Sequence, residues 1–223
     1  MNRICKHISG LSALDEKYSA FIIDVWGVLH DGEYLYPGVL SCLQQLRARE
    51  YTVLIMSNAA RRHHHLKDEL ESVGIGKNLY ADLLSSGEMT WQYFNIETTN
   101  GQWRDKRAYY LGPERSKGLM ENLAISWVSD ISQADFILNA GTVLNERILS
   151  EESENLLRKA SKIDIPMVCA NPDLLAIRQG ESGLSAGALA QKYRQFGASN
   201  VTYFGKPYKH IYDRAKAILM DFK

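Results

Sequence analysis

Three polar residues stand where buried runs of sequence end. Asp24 closes Phe21-Ile22-Ile23, Ser57 and Asn58 close Val53-Leu54-Ile55-Met56, and Lys206 sits between Gly205 and Pro207 after Val201-Thr202-Tyr203-Phe204. A carboxylate can attack a phosphoryl group and carry it as an acyl phosphate, splitting one hard displacement into two easier ones. A serine beside main-chain N–H groups at a helix start can hold phosphate oxygens, and the helix dipole favours an anion there. A lysine can neutralise charge on both nucleophile and phosphoryl oxygens. Singly, each has a plainer explanation: an Asp or Ser at such a junction caps a helix, and a lysine is solvated. Their joint occurrence carries the argument.

These residues need strands to place them. Apolar runs of strand length, rich in β-branched and aromatic residues, occur at 20–25, 52–56, 108–111, 135–138, 166–169 and 201–204. Helical periodicity fills 39–50, 61–73, 85–94, 114–123, 151–162, 186–196 and 208–220. Pro37-Gly38 precedes the first of these helices and Gly74 follows the second, as start and stop signals. Strands alternating with helices predict βαβ units, a parallel sheet and an α/β fold. Ligands in such folds bind beyond the carboxyl ends of the strands, where Asp24, Ser57 and Lys206 fall.

The order of motifs makes a resemblance specific. Asp24 with its flanking hydrophobics resembles motif I of the haloacid dehalogenase (HAD) phosphatase superfamily, and Ser57-Asn58 resembles motif II. Gly205-Lys206-Pro207-Tyr208 is similar to motif III of class IIA, the branch with NagD-like and pyridoxal phosphate phosphatases. Gly27-Val28-Leu29, Gly32, Pro37-Gly38, Leu111-Gly112-Pro113, Ala170-Asn171-Pro172-Asp173 and Gly187-Ala188-Leu189-Ala190 match further landmarks of that branch in order. The resemblance covers residues 18 to 217. It implies a Rossmann-like core from residues 1–82 and 200–223, with an α/β cap, 83–199, inserted between motifs II and III. It implies a phosphatase of small phosphorylated metabolites, of sugar- or nucleotide-phosphate type, working through an aspartyl-phosphate on Asp24. Lys206, Ser57 and Asn58 would bind phosphate. Mg²⁺ would sit between the Asp24 carboxylate and the main-chain carbonyl of Trp26. The cap would choose the substrate through the loop carrying Asn171 and Asp173, whose other reading is an Asn-Pro turn opening a helix.

Two departures cut against full activity. Motif I of the family reads Asp-x-Asp, its second carboxylate serving as general acid and base, and Trp26 takes that position here. Losing such a group costs about 10²–10⁴ in rate, roughly 3–5 kcal/mol of barrier. His30 or Asp31 could substitute from the flap that follows. Motif IV, which supplies the remaining metal carboxylates, is expected beyond the helix after Lys206, and Lys223 is the last residue given. The Mg²⁺ site would then be incomplete and the Asp24 strand would lack its fourth-strand neighbour. Its exposed edge would be covered by another copy, in a homo-oligomer, or by further sequence of a longer protein. The competing functional reading is a catalytically impaired pseudoenzyme that binds a phosphorylated ligand or regulates a partner.

Bulk composition narrows the remaining classes. Lys plus Arg (26) equal Asp plus Glu (26) without long blocks of either sign, which argues against a nucleic-acid partner. Three separated cysteines, Cys5, Cys42 and Cys169, predict reduced thiols rather than a disulfide framework. No run approaches the roughly 18 apolar residues of a membrane span and no signal core is present, so a cytoplasmic location is expected. His63-His64-His65 reads as a surface helix face, because consecutive helical residues point about 100° apart and cannot all face one metal.

Overall fold

The structure is a computed structural model describing residues 7–14, 18–101, 103–142, 147–178 and 181–222. β1 (Ala20–Ile23), β2 (Thr52–Ser57) and β3 (Asp82–Ser85) form a parallel three-stranded sheet in the order β1-β2-β3. Side chains of β2 alternate between its faces, as a pleated strand requires. Val53 and Ile55 join Leu43 and Leu46 of α1 (Val39–Ala48) and Leu66 and Leu70 of α2 (His63–Ser72). Leu54 and Met56 join Ile211, Ala215 and Ile218 of α6 (Lys209–Asp221) on the other face. β2 is thus covered on both sides, which is why its run reads as continuously apolar. β1 lies at the sheet edge, and Ile22 there is 44% exposed.

α3 (Ser86–Asn100) leaves β3 and leads to a second parallel sheet. β4 (Arg107–Leu111), β5 (Ser126–Val128), β6 (Phe136–Asn139), β7 (Met167–Cys169) and β10 (Val201–Tyr203) take the order β10-β7-β6-β4-β5. Alternation repeats: Ile137 and Met167 pack on Leu157 of α4 (Glu151–Ser161) and on Leu189 and Tyr193 of α5 (Ala186–Gln195). Phe136, Leu138 and Val168 face Phe94 of α3 and Trp103. A two-stranded antiparallel hairpin, β8 (Leu175–Arg178) with β9 (Glu181–Leu184), follows β7.

The α/β class and parallel sheets hold. Residue 82 opens β3, which belongs wholly to the first sheet. β10 pairs with β7 in the second sheet, so only the chain after it returns to the first. Segment 114–120 is a 3₁₀-helix rather than an α-helix, with Gly118 weakening helical propensity in its middle. β3, β5 and the β8–β9 hairpin are not apparent from sequence, being three or four residues long and partly polar. Among the described residues no helix is long and apolar enough to cross a membrane.

Candidate active site

β1 ends at Ile23 and delivers Asp24 to the gap between the sheets. β2 ends at Ser57, fully buried, and the chain beyond it is clamped by the start of α3. Ser85 caps that helix by accepting the Glu88 N–H at 2.9 Å and donates to the Arg61 carbonyl at 2.7 Å. Ser86 Oγ donates to the Ala59 carbonyl at 3.2 Å. Asn58 and its neighbours are thereby fixed by residues that the sequence pattern left as ordinary helix start.

Lys206 arrives from the opposite side, after β10. Its Nζ donates to Asp24 Oδ1 at 2.5 Å and approaches the Met56 carbonyl at 3.5 Å. The Asn58 side chain fixes this arrival: its Oδ1 accepts the Lys206 N–H at 2.7 Å and its Nδ2 donates to the Lys206 carbonyl at 3.0 Å. Gly205 is required for so close an approach. Its φ is +127°, and a Cβ there would lie 2.6 Å from Asn58 Oδ1 and 2.7 Å from Pro172 Cδ. The expected phosphate-binding role of the Asn58 side chain changes accordingly, since its amide is committed to holding Lys206. Ser57 Oγ accepts the Ala59 N–H at 3.2 Å and faces the same cavity.

The loop after β7 brings in Asp173. Asn58 Nδ2 also donates to Asp173 Oδ1 at 2.8 Å, so one amide links Asp173, Lys206 and, through Lys206, Asp24. Asn171 shapes the loop, its Oδ1 accepting the Asp173 N–H at 2.9 Å and its Nδ2 donating to Ser185 Oγ at 3.0 Å. Protein packed around the Asp173 carboxyl raises its pKa; the Asn58 amide and Lys206 offset part of this, and Asp24 adds to it. The residue still meets solvent through the cavity mouth, which moderates the shift. The raised pKa inclines Asp173 to hold a proton.

The flap after Asp24 does not supply the missing acid. Trp26 lines the cavity with no carboxylate at that position and packs on His30 at 4.9 Å between ring centroids. His30 is buried outside the cavity lining, and its Nδ1 accepts the Gly32 N–H at 2.9 Å. Burial lowers its pKa, so it is neutral at physiological pH. Asp31 reaches the cavity, but its Oδ1 accepts the N–H groups of Tyr34 at 2.8 Å and Glu33 at 2.9 Å. Those bonds lower its pKa and keep it ionised, so it is an acceptor and no proton donor.

The cavity encloses about 520 Å³. Besides the residues above, Arg61 and Arg115 border it and were not singled out in the sequence. The signal for Arg61 was its place four residues beyond Ser57 at a strand exit. Arg61 is paired with the Glu69 carboxylate, and positive side chains at such a rim attract anions to the extent that their charge is not already met. The donor set around Asp24 fits Mg²⁺ only thinly. Among the described residues no group of three His, Cys, Asp or Glu ligands gathers there, and one Asp24 oxygen bonds Lys206. A hard cation would need substrate and water oxygens to fill its shell.

Two parallel sheets meeting over an aspartate–lysine pair define a capped α/β scaffold, and known proteins resemble it. Residues 21–126 match the family of haloacid dehalogenase-like hydrolases. A haloacid dehalogenase-like hydrolase from Brucella suis is 29% identical with a TM-score of 0.84, covering 95% of this chain and 74% of that one. A HAD-superfamily structure from Cytophaga hutchinsonii, described as a possible sugar phosphatase, is 21% identical with a TM-score of 0.79, covering 97% and 77%. Phosphoglycolate phosphatase 2 of Arabidopsis thaliana is 25% identical over 119 residues, 53% of this chain and 38% of that protein. Over residues 21–126, just under half of its length, the chain is similar to the haloacid dehalogenase-like hydrolases, and the Brucella suis structure shares its fold.

Proposed function

We propose that the protein is a phosphatase of small phosphorylated metabolites, of the class IIA branch, in which Asp24 accepts the phosphoryl group. The contact of Lys206 Nζ with Asp24 Oδ1 at 2.5 Å, inside a cavity bordered by Arg61 and Arg115, carries this reading. A nucleophilic carboxylate held beside a cation and facing a cationic rim suits an anionic electrophile.

Asp24 Oδ attacks phosphorus and the ester P–O bond breaks. The departing oxygen takes a proton, for which Asp173 is the candidate donor because its pKa is raised and Asn58 aims it at the same site. Water then attacks the acyl phosphate, losing its proton to the Asp173 carboxylate, and inorganic phosphate and free Asp24 result. Lys206 stabilises negative charge through both steps, and Ser57 borders the phosphate. Mg²⁺, held by Asp24 and the Trp26 carbonyl with substrate and water oxygens, would neutralise phosphoryl charge. The Asn171–Asp173 loop and hairpin β8–β9, on the cap side of the cavity, would select the substrate. A cytoplasmic location and a second copy along the β1 edge belong to the same reading.

Release of inorganic phosphate from a panel of sugar phosphates, nucleotides and phosphoglycolate tests it, with Mg²⁺ present and absent. Wild type is expected to turn over some members, and Asp24→Asn to fall to background. Turnover unchanged in Asp24→Asn would sink the nucleophile assignment. Binding of phosphorylated ligands without any turnover would instead establish the pseudoenzyme reading, which Trp26 motivates.

A further inference from the structure

His63, His64 and His65 open α2 and point in different directions, and the structure sorts them. His63 turns to Glu88, with Nδ1 at 3.3 Å from the carboxylate. His64 and His65 stay together on the outer face, their rings 4.1 Å apart between centroids. Across from them lies Glu121, at the end of the 3₁₀ segment 114–120. His65 Nε2 is 3.9 Å from Glu121 Oε1, and ligand atoms of all three residues lie within 4.8 Å of one another. Sequence distance hid this group: a pair of neighbours on one helix meets a carboxylate 56 positions on.

We propose that His64, His65 and Glu121 form a surface site for a borderline divalent transition metal such as Zn²⁺, which cross-links the two sheets away from the catalytic cavity. Two imidazoles and one carboxylate suit Zn²⁺, Ni²⁺ or Cu²⁺ and are a poor set for Mg²⁺, which demands a full oxygen shell. Tetrahedral zinc, with bonds of about 2.0–2.1 Å, needs ligand atoms about 3.3 Å apart. The three side chains are exposed, so rotation about their χ angles closes the remaining gap, and water completes the shell.

The site's two halves are anchored in different cores. Leu66, next to His65, is buried in the cluster under the first sheet, and Leu119, two residues before Glu121, is buried in a cluster of the second. Their approach is already tight, since a Cβ on Gly118 would lie 2.9 Å from His65 Nε2. Trp91 of α3 holds the Glu121 main chain, donating to its carbonyl at 2.8 Å, and Arg62 stacks over Trp91 at 3.6 Å. The carboxylate is therefore presented to the histidines by a fixed backbone. A bound ion holds the sheets in their present relation, and because it binds only the folded arrangement it raises thermal stability as its concentration rises.

Zinc binding to the full chain is measured by competition with a chromophoric chelator, in excess Mg²⁺ so that the Asp24 site is not the reporter. Melting temperature is followed with and without Zn²⁺. One equivalent is expected to bind, with Glu121→Gln and His64→Ala each weakening it by at least about tenfold, the range that even outlying ligand partners reach. His63→Ala is expected to bind as wild type does, and Zn²⁺ to raise the melting temperature of wild type but not of Glu121→Gln. Unchanged affinity in Glu121→Gln would overturn the proposal, as would equal weakening in His63→Ala, since both mean that the exposed imidazoles chelate without the carboxylate. Absence of zinc binding to wild type would overturn it too. None of these outcomes depends on phosphatase activity.

Discussion

The two sheets contribute unequally to the centre between them. Among the described residues the first has three strands, and its edge strand β1 leads to Asp24 with one ladder of partners, while its Ile22 stands 44% exposed. The second has five strands and a closed middle, where Phe136, Ile137, Leu138 and Asn139 of β6 have no exposure. Asp24, the proposed nucleophile, follows β1, whereas Lys206 and Asp173 follow strands of the second sheet. Neither sheet carries all three side chains. The proposed reactive centre is therefore a property of their contact, since Trp26 leaves the first sheet without a carboxylate at that position.

That contrast can be broken most sharply at Asp173. Asp173→Asn is expected to lower turnover by about 10²–10⁴-fold and to remove the loss of activity as pH rises through the raised pKa of the carboxyl. Adding Trp26→Asp moves the acid to the first sheet and should recover part of the loss; steady-state rates across pH decide the point. Lys206→Ala removes the second sheet's charge from Asp24 and should cost about 10²–10³-fold in kcat. The sheets themselves are compared by truncation. Ile137→Ala should destabilise by about 2–5 kcal/mol and Ile22→Ala by less than about 1 kcal/mol in urea unfolding, unless a second copy covers β1.

The smallest expected effect is again at Asp173, on stability. A carboxyl whose folded pKa is raised stabilises the fold below its unfolded pKa, and that contribution is lost as pH rises through the folded value. Asp173→Asn keeps an acceptor for the Asn58 amide and has no charge to desolvate. It should therefore be up to about 1 kcal/mol more stable than wild type at neutral pH, with the difference vanishing in acid, as thermal melts at several pH values would read.

Much of this was legible in the residues. Long buried runs such as Val53–Met56 declare themselves because both faces are covered, and Asp24, Ser57 and Lys206 stand at strand exits where parallel sheets expose polar groups. Motif order gave the family, which the matching residues and folds bear out. What escaped is what depends on distance in three dimensions. Asn58 looked like a phosphate ligand because its type and place allow it, but its amide is consumed by Lys206 and Asp173, 148 and 115 positions away. His30 looked available until its ring proved buried against Trp26. The short strands β3 and β5 carry too few residues for period-2 alternation to show. Cys42 and Cys169 are free thiols, the latter pushed up to about 12 by burial, while Cys5 lies outside the described residues.

Two chain crossings join the sheets, one from β3 into α3 and the other from β10 through Gly205. They pass side by side, for a Cβ on Gly205 would lie 3.0 Å from that of Ser86 and against Asn58. Paired crossings of this kind act as a pivot. A rocking of one sheet on the other would turn about a point beside the Asp24–Lys206 contact, so the atoms nearest phosphorus move least. Hairpin β8–β9 lines the same cavity through Leu175, Ala176 and Leu184. Motion about these crossings would leave the Asp24–Lys206 contact nearly in place while the cavity mouth changes width.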